Sequence, residues 1–354
     1  MSVARVLVLA LLLTAATGSG CSAQGAEIRP APSGGCAASG IQPGQHERTF
    51  GVEGDERRYL LYVPEGYSPG EPVPVVLNFH GGAGNPEAQV ELTGMNRTAD
   101  RHGFVVVYPF GSGILQRKFL TFNAGSCCGY ARDKTVDDLA FIGELLDDLS
   151  RIVCIDRTRI YATGHSNGGM MAHRLGCQLA DQIAAVASVA GPIGLTGCHP
   201  SRPMPVLHIH GTADRCAPYD GGAGASRNAG KFRSVEDTRR IWLSADDCSG
   251  KPEVSYSKGD ATCLRWSECA DDAEVIICTI AGGGHAWPGA TSYPSQRICK
   301  GDLSHDLDAN EMIWSFFSRH SLSGTAPSEP ERPGKPEPDR RPAELRKQKP
   351  PPPE

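Results

Sequence analysis

Long apolar runs are missing from this chain. No stretch reaches 18 apolar residues, so no segment is long enough to span a bilayer as a helix in the mature form. Basic clustering is missing as well: 35 Lys and Arg stand against 40 Asp and Glu, a formal charge of −5. That excludes nucleic acid as a partner, because binding it requires a Lys/Arg footprint. Paired CxxC and HExxH spacings do not occur, which leaves no metal site of the common zinc types. No internal repeat is visible. Asp306 to Asn310 starts like a calcium loop, but Glu311 stands where the turn glycine belongs and Phe317 where the closing glutamate belongs.

What is present points elsewhere. Hydrophobic residues at 40% and charged residues at 21% exclude wholesale disorder and allow a large core. Glycine (42), proline (27) and cysteine (13) are abundant, and that much cysteine in a non-repetitive chain indicates an oxidising compartment. Met1 to Arg5 is a short positive region, Val6 to Leu13 is apolar, and small residues fill Thr14 to Ala23, so residues 1–23 read as an export signal. Two cleavage readings stay open. Cutting after Ala23 gives a secreted protein; cutting before Cys21 makes that cysteine a lipid anchor, although glycine stands where such sites carry an aliphatic residue. Both remove Cys21 and leave an even number of cysteines for disulfides. Residues 24–44 read as a flexible N-terminal segment, residues 45–322 as the catalytic body, and residues 323–354 as a disordered Pro-rich tail with polyproline II character.

Within the body, strand-like runs alternate with helix-like ones. Tyr59–Val63, Val73–Phe79, Phe104–Tyr108, Arg159–Thr163, Ala184–Val189, Met204–His210 and Val275–Ile280 are β-rich. Helices are expected over Glu87–His102, Val136–Arg151, Asn167–Ala180, Val235–Leu243 and Asp306–His320. Such alternation implies a mostly parallel central sheet with helices on both faces, whose ligands bind beyond the carboxyl ends of the strands. The chemical motifs sit at those ends.

Gly164-His165-Ser166-Asn167-Gly168 joins a strand to a helix. A turn that sharp holds its central serine in a strained conformation and needs small neighbours two residues either side. Ser166 would stand at a helix N-terminus, where backbone N–H groups favour negative charge. Asp214 closes a strand in HGTAD, and His285 follows another in GGGHAWP, in the order serine, acid, histidine. A serine hydroxyl is weakly nucleophilic until a base takes its proton, and a carboxylate fixes the tautomer of that base. The catalytic set is therefore Ser166, Asp214 and His285. His173, His208, His210 and His305 are weaker candidates for the base, being inside a helix, inside a strand, or near a helix start. The oxyanion hole is read as the amide of Asn167 with that of Gly82 in His80-Gly81-Gly82-Ala83-Gly84, Ala83 being the alternative to Gly82. Trp287 is read as a pocket wall for substrate, with plain packing an equal alternative. Asp137 and Asp138 are read as stabilising the first turn of a helix.

LNFHGG, AGSCCGYA followed by VDDLAFI, GHSNGGMMAHRLGC, HGTAD and GGGHAWPG, in that order, resemble the exported polyhydroxybutyrate depolymerase-type esterases. That family is similar to the feruloyl and acetylxylan esterases of carbohydrate esterase family one. The resemblance runs from about Gln45 to His320. It implies an α/β-hydrolase fold, a Ser166–Asp214–His285 triad, ester hydrolysis and no cofactor. The chain then reads as an exported, monomeric serine carboxylesterase acting on a hydroxyalkanoate oligomer or a polysaccharide-linked ester. A peptidase of the same fold and an inactive envelope-attached binding protein are the competing readings. The expected disulfides are Cys177–Cys198, Cys248–Cys269 and Cys263–Cys278, with Cys216 held by one of the adjacent pair Cys127 and Cys128.

Overall fold

The computed structural model describes residues 40–52, 54–225 and 230–322. The expected export signal, the lipid-anchor cysteine Cys21 and the Pro-rich tail lie outside those residues. The chain opens with the antiparallel pair β1 (Gly44–Val52) and β2 (Asp55–Val63), then runs into β3 (Val73–Phe79). The single helix expected over 87–102 is two, α1 (Pro86–Thr93) and α2 (Met95–His102). They part at Gly94, whose φ of 58° caps the first and starts the second. Next come β4 (Val105–Pro109), the short α3 (Gly129–Asp133), α4 (Asp138–Ile152), β5 (Ile155–His165), α5 (Asn167–Gln178), β6 (Ala185–Val189) and β7 (Val206–Gly211). The small pair β8 (Gly222–Ala223) and β9 (Lys231–Phe232) precedes α6 (Val235–Ala245). The chain then forms β10 (Glu253–Lys258), β11 (Ala261–Trp266), β12 (Val275–Ile280), α7 (Gln296–Cys299) and α8 (Ala309–Phe317).

Among the described residues, ten strands form one sheet in the order β1-β2-β4-β3-β5-β6-β7-β12-β11-β10. The six from β4 to β12 are parallel, with an antiparallel pair added at each edge. Strand periodicity sorts the core. From β3, Val75, Leu77 and Phe79 join the core cluster on the sheet face covered by α4, α5 and α6, while Val76 joins the cluster on the face covered by α2 and α8. Helices therefore cover both faces, as expected for strands buried on both sides. Asp137 caps α4 through the amides of Leu139 and Ala140. Asp138 does something else: its buried carboxylate pairs with Arg57 at 2.7 Å and accepts the Asn123 amide.

Cys177–Cys198, Cys248–Cys269 and Cys263–Cys278 are bridged. Cys263 and Cys278 sit opposite one another in the β11–β12 register, as a hairpin requires. The expectation for Cys216 is corrected: it pairs with Cys299, and Cys127 pairs with Cys128. The reason is topological. β12 lies beside β7, so the segments after these two strands meet, and the Arg215 amide already bonds to the Cys299 carbonyl at 3.0 Å.

Candidate active site

Ser166 stands between β5 and α5 with φ 56° and ψ −120°. Its amide donates to Val189 O on β6 at 2.8 Å, and its carbonyl accepts the Met170 amide inside α5. The turn is possible because of its flanking glycines. A Cβ at Gly164 would come within 2.6 Å of Phe79 O, and one at Gly168 would collide with the same carbonyl. The carboxamide of Asn167 ties the elbow down, accepting from Phe122 N at 2.8 Å and donating to Phe122 O at 3.0 Å. The serine is thus presented by strain that the β3 and β6 strands hold in place.

The loop after β3 packs against this elbow. A Cβ on Gly81 would lie 3.5 Å from Ser166 Cβ, and one on Gly82 would lie 3.6 Å from Asn167 Cβ. The Gly82 backbone therefore passes beside the first residue of α5. His80 pins the loop: its Nδ1 donates to Gly81 O at 2.8 Å and its Nε2 accepts the Gly111 amide at 3.1 Å. Burial pushes His80 down to about 4, so the ring stays neutral and keeps both roles. The sequence reading did not assign this function to His80; the glycines drew attention, and the histidine before them carried the signal.

Asp214 follows β7 and is 4% exposed. Its Oδ1 accepts the amides of Cys216 at 2.7 Å and Ala217 at 2.9 Å, and its Oδ2 accepts His285 Nδ1 at 2.7 Å. Burial pushes the Asp214 carboxyl up, but the His285 charge and hydrogen bonds from His210 and His285 outweigh it, leaving the group well below the usual carboxylate range. His285 is held from behind, where its amide donates to the Tyr293 hydroxyl at 2.6 Å and that hydroxyl donates to Lys300 O at 2.8 Å. The ring of His165 lies 4.7 Å from that of His285. Burial first, and then the neighbouring His285, push His165 down to about 3.

Ser166, His285, His165 and Gly82 line one cleft of about 560 Å³, together with Phe119, Tyr130, Phe232 and Tyr293. The cleft walls also include Cys128, Cys216 and Cys299, so two disulfides shape it. Ser166, His285 and the Gly82 loop are brought together; Asp214 reaches the cleft through His285. Trp287 is not among the lining residues, which corrects its reading as a pocket wall. Its buried indole packs in the α2–α8 core and donates to Asn310 Oδ1 at 3.0 Å, because Pro288 turns the chain towards α8 immediately after it. The aromatic walls come instead from Phe119 and Tyr293 in loops, Tyr130 in the short α3 and Phe232 in the two-residue β9, segments too short or irregular to carry a periodic signal. No cluster of His, Cys, Asp or Glu suited to a metal ion occurs among the described residues.

A ten-stranded, mostly parallel sheet with a left-handed serine elbow and an Asp–His pair beyond its strand ends defines an α/β-hydrolase. The family model described as Esterase PHB depolymerase matches residues 57–230, and the chain belongs to that family of polyhydroxybutyrate depolymerase-type esterases. Ser166, Asp214 and the Gly82 loop fall within the match; His285 lies beyond it. The chain is 30% identical over 239 residues to "Feruloyl esterase B" of Piromyces equi, covering 65% of this chain and 42% of that protein. It therefore spans less than half the length of that relative. It is also 30% identical over 287 residues to "Putative esterase NocK" of Nocardia uniformis subsp. tsuyamanensis, covering 75% and 80% of the two chains. The solved structure "Crystal Structure of a Thermostable Esterase" shares the fold, with a TM-score of 0.50 and 14% identity over 78% of this chain and 63% of that one.

Proposed function

We propose that this protein is an exported serine carboxylesterase. Ser166 Oγ attacks the ester carbonyl while His285 Nε2 takes its proton, and Asp214 holds the imidazole through Nδ1. The amides of Asn167 and Gly82 receive the oxyanion of the tetrahedral intermediate. Collapse expels the alcohol, protonated by His285, and leaves an acyl group on Ser166. Water, deprotonated by the same imidazole, releases the acid. The observation that carries this reading is the 2.7 Å contact between Asp214 Oδ2 and His285 Nδ1, on an imidazole lining the same cleft as the elbow serine. A pure binding protein has no need of the three groups together.

The substrate is an ester with an apolar acyl group, either a hydroxyalkanoate oligomer or an ester on plant polysaccharide. The aromatic walls formed by Phe119, Tyr130 and Tyr293 favour a flat aromatic acyl group, which supports the feruloyl-type reading. The disulfides support an oxidising compartment outside the cytoplasm. The test is to assay the full chain beside its Ser166→Ala twin on p-nitrophenyl butyrate, methyl ferulate, acetylated xylan and hydroxybutyrate oligomers. Turnover by the parent alone supports the esterase, and the best substrate selects the branch. Equal inertness of two folded proteins on every ester would overturn it.

A further inference from the structure

Three buried histidines outside the triad form a continuous chain that ends on its carboxylate. Trp242 of α6 donates its Nε1–H to His173 Nδ1 on α5 at 3.0 Å. His173 Nε2 lies 3.3 Å from His208 Nδ1, and His208 Nε2 lies 3.0 Å from His210 Nδ1, both on β7. His210 Nε2 in turn lies 2.8 Å from Ala217 O and 3.2 Å from Asp214 Oδ2. The direction of this chain is fixed by its ends. An indole nitrogen is only a donor, so His173 Nδ1 accepts and its proton sits on Nε2. The same logic passes the proton to Nε2 of His208 and then to Nε2 of His210. At the far end Ala217 O and the Asp214 carboxylate are acceptors only, and they demand the same direction. A flipped ring anywhere would set two lone pairs, or two protons, against each other in a site with 0–1% exposure.

We infer that Trp242, His173, His208 and His210 are positioning residues, a directional hydrogen-bond relay that locks His210 as an Nε2–H donor to Asp214 and ties the helix of Ser166 to the strand of Asp214. Asp214 Oδ2 then accepts from two imidazoles, His285 in front and His210 behind. This rests on the proposed role of Asp214 and adds to it. The donor from His210 withdraws charge from Oδ2 and fixes its lone pairs, which sets how firmly the carboxylate holds the protonated His285. The other groups facing the pair are His165 from the end of β5 and Tyr293 from the loop after β12.

Long-range proton–nitrogen correlation on the full chain, labelled with 15N-histidine, reads the tautomers directly and needs no variant. All three relay imidazoles are expected as Nε2–H; an Nδ1–H form at any of them overturns the relay. Kinetics give the functional half. In His210→Phe, kcat is expected to fall about ten- to hundredfold, the loss of a hydrogen bond to a charged group, with KM changing less than about twofold. The acid limb of kcat/KM should move to higher pH, because Oδ2 without its donor holds the protonated pair more strongly. His210→Gln, whose amide reaches the same place, should restore most of the rate and the original limb. A His210→Phe enzyme with the parent's kcat and pH profile would refute the inference. Asp214→Asn is the control: if it leaves turnover intact, the reading of the acid fails, and if it abolishes turnover while His210→Phe changes nothing, only the relay fails.

Discussion

Replacing Cys216 and Cys299 together by alanine removes the bridge between the Asp214 loop and α7, the short helix that follows Tyr293. The two cysteines are 83 residues apart, and two further bridges, Cys248–Cys269 and Cys263–Cys278, lie inside that span. Crossing those shortens the free path to about 60 residues, for which loop-closure entropy gives a stabilisation of about 4 kcal/mol. In a domain of this size about 2 °C of melting temperature goes with each kcal/mol, so the double variant should melt about 8 °C lower. Activity should fall further than stability explains. The Cys216 amide is one of the two donors on Asp214 Oδ1, and both cysteines line the cleft. Turnover at 25 °C, where the variant remains folded, should drop about tenfold. Thermal unfolding by circular dichroism under non-reducing conditions, with ester turnover on the same samples, measures both. A melting temperature within 2 °C of the parent, or undiminished turnover, would refute the reasoning.

Three further outcomes are expected. Tyr293→Phe deprives the His285 amide of its acceptor, a loss of about 1–3 kcal/mol, and should lower kcat about tenfold; steady-state kinetics with an unchanged kcat would count against it. Arg57→Leu leaves the Asp138 carboxylate buried without its partner and should cost about 3–5 kcal/mol in urea denaturation, a loss below 1 kcal/mol being the contrary result. Stability should also fall steeply with acid. His80, His165, His173 and His208 are held neutral by burial, so below about pH 6.5 the unfolded chain binds protons that the folded one refuses. Asp246, pushed up to about 7 by burial, acts in the opposite sense with one proton. The net of about three protons gives a slope of about 4 kcal/mol per pH unit near pH 5, easing off through pH 6.5 and levelling above about pH 7.5. A urea midpoint that stays level across that window would contradict it.

The parallel sheet was legible in the alternation of its runs, and the proposed catalytic residues stood out because each lies at or just beyond a strand end with glycine close by. Ser166, Asp214, His285 and the Gly82 loop share that local punctuation. The edge strand β10 was not recognised, since it is largely exposed and carries no apolar alternation. The split at Gly94 was hidden within a polar stretch compatible with one long helix. Residues that act through distant partners were the least legible. His173 and His208 look unremarkable in their own helix and strand, and acquire a role only when α5 packs on β7 and Trp242 arrives from 69 residues away. The pairing of Cys216 depended likewise on β12 lying next to β7, a neighbour relation that spacing does not encode.

The central claim is that Ser166 is the nucleophile, and covalent labelling tests it without choosing a substrate. The full chain would be treated with a small organophosphonate, digested, and mapped by mass spectrometry beside His285→Ala. Stoichiometric phosphonylation of Ser166 in the parent, at least about a thousandfold slower in His285→Ala, is the expected result. Labelling at another residue, or an unmodified Ser166 in folded protein, would contradict it.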